Sequence, residues 1–250
     1  MAGYGTYLDL IRPLIAGKEV IESGMTQEVR RVTAAVTAAR EGRSCALVSS
    51  GDPGIYAMAG LVFEFCRERS IPIVAPGTPV PEGGLEVEVV PGIPALCAGA
   101  ALLGAPLTHD FCTVSLSDLL TPWETIAARL DAAARADFVI VLYNPKSRRR
   151  RDHLRRAQEI ILAHRSGETP VGVVRAAMRE AQSVTLIPLS ELHRADVDML
   201  TTVFIGNRTT VTRGGYMITP RGYAAKYDLD GSRAAAEGNL TAGGSPPAEE

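Results

Sequence analysis

Three short stretches of this chain carry residue types that hold a small ligand through backbone groups and carboxylates. In the first, an apolar run at 45–48 passes through Ser49-Ser50-Gly51-Asp52-Pro53-Gly54 into a helix-like segment over 55–69. Asp52 before Pro53 suits a helix N-cap with proline at the first helical position. The glycines allow positive φ or close backbone approach to a ligand. The second, Pro91-Gly92-Ile93-Pro94-Ala95, opens a helix over 95–103, so free backbone amides meet a helix N-terminus. The third, DFVIVLY at 137–143, is a fully apolar strand that ends at Asn144-Pro145. In an open α/β sheet the carboxyl ends of strands are where ligands bind. A well-capped strand-to-helix junction with no ligand would use the same residues, and the pattern alone leaves both readings open.

Directly after the third stretch, Lys146 and Arg148, Arg149, Arg150, Arg151, Arg155 and Arg156 crowd a helix start. Cations there oppose the helix dipole, so an anionic neighbour would relieve a cost of a few tenths of a kcal/mol each. A carboxylate-rimmed ligand would do so through bidentate pairing; a solvated basic face is the alternative. The four histidines show no metal-ligand spacing, so no metal site is expected. Neither a Walker loop nor GxGxxG occurs, which argues against nucleotide and dinucleotide enzymes.

The elements that must position these loops read as an α/β chain. Residues 6–15 carry Leu8, Ile11, Leu14 and Ile15 at helical spacing, and Val20 and Ile21 form a short loop or strand. Thr26 caps a helix that presents Val29, Val32 and Val36 on one face and closes at Gly42. Residues 71–74 and 87–90 read as parallel strands of a first sheet, and 104–107 as a hinge. A second domain opens at 110–116, followed by a capping box at Thr121-Pro122-Trp123-Glu124. Further strands are expected at 171–175, 183–187, 202–205 and 216–218. The closing Ala, Gly, Ser, Pro and Glu-rich stretch reads as a tail.

Length fits two half-sized domains. The composition, 46% hydrophobic and 22% charged with a formal net charge of −2, is that of an ordinary globular protein and gives no global pull toward nucleic acid or membrane. No apolar run approaches the roughly 18 residues of a membrane span, and a cytoplasmic location is expected. Cys45, Cys66, Cys97 and Cys112 lie far apart beside apolar residues and read as reduced core thiols.

The wording SSGDPGIYAMAG resembles the SGDPxxYxMA signature of the tetrapyrrole methylases, which use S-adenosylmethionine, and in particular the group acting on ring carbon 17 of precorrin-3B. The resemblance runs in family order through GYGTYLDLI, SGMTQEVRR, VVPGIPALCAGAALLGAPLTHDFCTVSLSDLLTPWE, DFVIVLYNPKSRRR, VDMLTTVFIGN and MITPRGY. It implies two αβα domains of the tetrapyrrole methylase type with a cleft between them, at 1–106 and 107–225, with a tail over 226–250. It implies methylation of precorrin-3B at carbon 17 with ring contraction to precorrin-4, on the path to cobalamin, by a homodimer. The methyl donor would take contacts from Gly51, Asp52, Ile55, Pro94, Ala95, Leu142, Tyr143, Asn144, Ala176, Thr219 and Pro220. At Pro94, which stands where the family has Thr or Ser, only the carbonyl or Ala95 could contribute. Met25, Glu28, Ser115, Ser117, Arg148, Arg149 and Arg221 would face the tetrapyrrole. Asp52, Tyr56, His109 and Asp118 are the candidates for proton transfer, and the sequence does not choose among them. The family normally opens with a strand bearing a GxGPGD-type loop, whereas this sequence opens at Gly3-Tyr4, so the first domain is expected to lack its first strand. Two rival readings follow: another tetrapyrrole methylase, or a truncated subunit that binds donor and turns over only with a partner.

Overall fold

The computed structural model of the protein describes residues 1–24, 26–147, 149–227 and 229. The first part of the chain runs β1 (Ala2–Tyr4), α1 (Gly5–Asp9), a 3-10 turn (Arg12–Ile15), β2 (Ile21–Ser23), α2 (Glu28–Arg40), β3 (Leu47–Val48), α3 (Met58–Glu68), β4 (Ile73–Val74), β5 (Leu85–Glu86) and α4 (Ala95–Leu103). The second runs β6 (Gly104–Ala105), β7 (Phe111–Ser115), α5 (Trp123–Arg135), β8 (Val139–Tyr143), α6 (His153–Leu162), β9 (Pro170–Arg175), β10 (Ser183–Pro188), a 3-10 segment (Leu189–Arg194), β11 (Thr201–Ile205), β12 (Val211–Arg213), β13 (Tyr216–Ile218) and α7 (Tyr223–Lys226).

Strands β2, β1 and β3 form a parallel sheet in that order, and β4 pairs with β5 as a separate parallel ladder. Both lie against one core, in which Val32 and Val36 of α2 meet Met58 and Cys66 of α3 and Leu85 of β5. The larger sheet is mixed, ordered β10-β9-β11-β8-β7, with β7 parallel to β8 and β11 antiparallel to both its neighbours. Its central strands are largely apolar because both faces are covered, and period-2 alternation divides their side chains between two cores. Ile140, Leu142, Val171, Val173, Val203 and Ile205 face α5 and α6, while Val141, Val174 and Phe204 face Leu96 and Leu103 of α4. Glycine permits that close approach: a Cβ at Gly99 would sit 2.6 Å from Phe204, and one at Gly172 would sit 2.5 Å from Leu103. The helix that carries the PGIPA loop is thereby held against the sheet that carries Tyr143.

Several local expectations are corrected. The helix over 6–15 breaks into α1 and the 3-10 turn, because Pro13 has no N–H to donate, and Leu14 ends 78% exposed. Gln27, not Thr26, is the N-cap residue of α2, and Val29 points outward while Val32 and Val36 are buried. The strand expected at 87–90 forms upstream as β5, leaving Val89 and Val90 exposed. The stretch 104–107 is not a free hinge: Gly104 and Ala105 pair in parallel with β13. Helix α5 forms at the expected place but starts one residue later than a capping box on Thr121 would put it, at Trp123, with Pro122 as its N-cap residue and no side chain closing the box. Strand β12 was not legible. Of the cysteines, Cys66 is buried, Cys45 and Cys112 half-buried, and Cys97 exposed on α4, so Cys97 is not a core thiol. Most of the expected tail lies outside the described residues, and Lys226 closes α7. Among the described residues no helix is long and apolar enough to cross a membrane.

Candidate active site

The loops that follow β3, β5, β7, β8 and β9 meet in one region. Asp52 organises it, though not as a helix cap: α3 begins later, at Met58, with Ala57 as N-cap residue. Its Oδ1 instead accepts the Gly54 N–H at 2.8 Å, an Asx turn, and its Oδ2 accepts the Gly92 N–H of the next loop at 3.1 Å. The loops touch so closely that a Cβ on Gly92 would lie 2.1 Å from the Gly51 carbonyl oxygen. Gly51 has φ +75° and packs against the backbone of Pro94 and Ala95. The Pro94 carbonyl accepts the N–H groups of Cys97 and Ala98, so it belongs to the helix, and Ala95 presents the first helical residue.

Tyr143, at the end of β8, joins this loop pair to the second sheet. Its phenol oxygen accepts the Leu96 N–H at 2.9 Å, satisfying one orphan amide of the first turn of α4. Burial pushes the Tyr143 phenol above its ordinary range, although the Leu96 hydrogen bond pulls the other way. The Tyr56 ring lies 5.1 Å from that of Tyr143, and its hydroxyl donates to the Thr113 carbonyl of β7 at 3.1 Å. Leu142 is buried in the core under α5 and α6, so its side chain does not reach the loops. Asn144 donates from Nδ2 to Ser115 Oγ at 2.9 Å, and the Ser117 N–H donates to the same oxygen at 3.2 Å. Asp118 follows, its carboxylate bonded to His153 Nε2 at 3.0 Å. After β9, Ala176 is buried, and Arg179 donates to Ser50 Oγ at 2.7 Å.

Left-handed backbone at non-glycine residues costs about 1–3 kcal/mol apiece and collects at functional sites. Here Tyr56, Asn144, Ala176 and Met178 all have positive φ, between 47° and 59°, in the loops just described. Strain at those positions marks the same region as the hydrogen bonds.

The remaining sequence-predicted residues lie elsewhere. Thr219 is buried, shares a hydrogen bond with Thr210 and accepts one from Thr108, while Pro220 and Arg221 line an open groove of about 660 Å³ with Leu107, Thr108 and Tyr223. Because Gly104 and Ala105 pair with β13, this group sits past the far end of α4 from Ala95, about 13 Å of helix away. His109 also lies there, at the start of β7; its Nδ1 accepts the Asp110 N–H at 2.7 Å, and it shares a 270 Å³ pocket with Asp137 and Arg221. The structure therefore brings Asp52 and Tyr56 to the loops around Tyr143, places Asp118 against His153 on the loop after β7, and sets His109 apart. Glu28 is exposed at the start of α2 and Arg149 is exposed before α6; Met25 and Arg148 lie outside the described residues. Sequence reasoning missed His153 and Arg179, the first because it was sought only as a metal ligand.

The family model for Tetrapyrrole (Corrin/Porphyrin) Methylases matches residues 2–193. The chain belongs to the tetrapyrrole methylases. Within that family it is 47% identical, over 89% of its length and 88% of the relative's, to a probable cobalt-factor III C(17)-methyltransferase of Salmonella typhimurium. It is 48% identical, over 91% of its length, to a cobalt-factor III methyltransferase of Priestia megaterium, but spans only 41% of that longer relative. It is 40% identical to a precorrin-3B C(17)-methyltransferase of a Sinorhizobium species, over 89% of this chain and 85% of that one. Among solved structures it superposes on the methyltransferase CobJ with a TM-score of 0.77 at 35% identity, covering 88% of this chain and 87% of that one. The loops that meet at Asp52 and Tyr143 thus belong to a methylase fold.

Proposed function

We propose that the protein methylates ring carbon 17 of a precorrin-3B-type tetrapyrrole from S-adenosylmethionine, with ring contraction to a precorrin-4-type product, in cobalamin biosynthesis. The observation that carries the reading is the Asp52 bridge between the Gly54 and Gly92 amides, which sets two glycine loops edge to edge opposite Tyr143. Bound there, the donor supplies an electrophilic methyl group on a sulfonium, and its displacement asks for positioning and exclusion of water more than for an acid–base pair. The residues fit such a guest. Gly51 lets backbone come close, Tyr56 and Tyr143 offer aromatic faces, and Ile93 and Met178 present exposed apolar side chains in the adjoining loops. Gly51, Asp52, Ile55 and Ala95 on one side and Tyr143, Asn144 and Ala176 on the other would hold it.

The substrate we favour is the cobalt-containing form, because relatives named for cobalt-factor III stand at 47–48% identity against 40% for the one named for precorrin-3B. Turnover of the two tetrapyrroles side by side, followed by mass and absorption spectra of the products, tests both levels. A product heavier by one methyl from either substrate supports the activity. Faster conversion of precorrin-3B would overturn the cobalt preference alone. Titration calorimetry with S-adenosylmethionine separates an inactive donor-binding subunit from a chain that does not bind donor.

A further inference from the structure

One half-buried titratable side chain in the second sheet's loops has no role in holding the donor. His153 opens α6, and its side chain is only 13% exposed. Its ring stands edge-on to Trp123 with centroids 4.7 Å apart, and the Arg156 guanidinium covers Trp123 at 4.1 Å. Nε2 meets Asp118 Oδ2 at 3.0 Å, while Nδ1 is buried and has no hydrogen-bond partner among the described residues. A buried ring nitrogen without a partner is uncommon and asks for a reason. A leucine or phenylalanine would fill this place against Trp123 without that cost, but would leave the Asp118 carboxylate unheld.

Asp118 is 41% exposed and lies three residues beyond Ser115, which pairs with Tyr143 and is tied to Asn144. Three residues reach at most about 10 Å, which keeps Asp118 within that span of Ser115, on the loop at the carboxyl end of the strand that pairs with β8. Leu119 and Leu120 follow at 75% and 93% exposure, an apolar rim suited to a flat macrocycle. Arg149 and Arg151, exposed just before His153, suit the carboxylates at its edge.

We infer that Asp118 is a catalytic residue that takes a proton from the tetrapyrrole, and that His153 is the positioning residue that fixes its carboxylate. The inference rests on the methylase reading above. A tetrapyrrole methylated by a sulfonium gains that group's positive charge, so a proton must then leave. The macrocycle's C–H or N–H bond breaks and its electron pair stays in the ring. An O–H bond forms on the free oxygen of Asp118, and water later takes the proton. His153 Nε2–H donates to the other oxygen throughout, and the tautomer follows from that bond.

The experiment compares the parent chain with Asp118→Asn, His153→Gln and His153→Leu. It measures single-turnover rates on cobalt-factor III and precorrin-3B, and the affinities for S-adenosylmethionine and for each tetrapyrrole by titration. Asp118→Asn should lower turnover about 100-fold or more, the usual worth of a positioned base, with both affinities within about threefold of the parent. His153→Leu should lower the single-turnover rate with little change in tetrapyrrole affinity, and His153→Gln, whose amide can reach the same oxygen, should recover most of the loss. Asp118→Asn turning over within threefold of an active parent would overturn the inference and leave the methylase reading standing. Equal loss in the Gln and Leu variants would overturn the role given to His153. A parent that binds donor but methylates neither tetrapyrrole would remove the functional reading, and this assignment with it.

Discussion

The Tyr143 phenol oxygen accepts the backbone N–H of Leu96 at 2.9 Å, tying the end of β8 to the first turn of α4. This bond lets the second sheet set the place of the PGIPA loop at the start of α4. Tyr143→Phe keeps the ring contact with Tyr56 and strands one amide, at an expected cost of about 1–3 kcal/mol. Donor affinity should fall with it while secondary structure is kept. Thermal melting and calorimetry on the same samples check this, and unchanged affinity would show that the loop holds its place without the phenol.

Asp52 and Gly92 make a paired test. Asp52→Ala removes the acceptor for two backbone amides, each such charged hydrogen bond being worth about 1.5–3 kcal/mol. Gly92→Ala keeps the carboxylate but drives a methyl group into the Gly51 carbonyl, 2.1 Å away, so one loop must move. Both variants should lose donor affinity by more than they lose melting temperature. A fall in stability with affinity intact would reduce Asp52 to a loop clasp.

The parts of the fold set by local rules were legible in the sequence. The β8 run of apolar residues and the start of α4 at Ala95 appear where period and proline put them. The strain in the loops was mostly not, because Tyr56 and Ala176 are of types that rarely adopt positive φ, whereas Asn144 is of a type that favours it. Asp52 shows the limit on the site: Asp before Pro is a helix-start signal, and only the fold brings Gly92, forty positions on, within reach of its second oxygen. Thr219 and Pro220 show it in reverse, since pairing of β13 with β6 carries them away from Ala95.

The homodimer expected from the sequence is a prediction here. Leu10, Leu14 and Val29 leave apolar side chains exposed on the first part of the chain, surface that a second copy could cover. Sedimentation at micromolar concentration should show twice the chain mass, and a single monomeric species would refute it.

Acid should loosen the loop before β11. Partial burial pushes the Asp198 carboxyl up, but hydrogen bonds from Arg175, Thr201 and Leu200 and the Arg175 charge outweigh it and hold the carboxyl below its usual range. A carboxyl depressed in the folded state contributes stability above its unfolded value, near 4, and loses it as pH falls through the folded value. Both partners are about 40% exposed, so solvent screening keeps the contribution under about 1 kcal/mol. Asp198→Asn should melt below the parent at pH 7, with the gap closing toward pH 3. A gap that persists in acid would mean the charge is not what holds Arg175.

Arg165 tests the frame behind the site. Its side chain is fully buried, and it donates to the carbonyls of Ala134, Phe138 and Gly206 and pairs with Asp137 at 3.3 Å. Burial lowers its pKa and Asp137 works against that, so the guanidinium is retained as a clamp joining the end of α5, the start of β8 and the end of β11. Arg165→Met matches its length but takes a donor from three carbonyls and one carboxylate, of which the Ala134 carbonyl keeps the Asp137 N–H and Asp137 keeps the Arg208 N–H. Removing one partner of a buried charged network costs about 3–5 kcal/mol, far more than the surface pairs of this chain. Denaturant unfolding should show that loss at unchanged slope. Adding Asp137→Asn to the variant should recover part of it by removing the uncompensated charge, and a double variant no more stable than the single one would show that the carbonyls, not the ion pair, carry the cost.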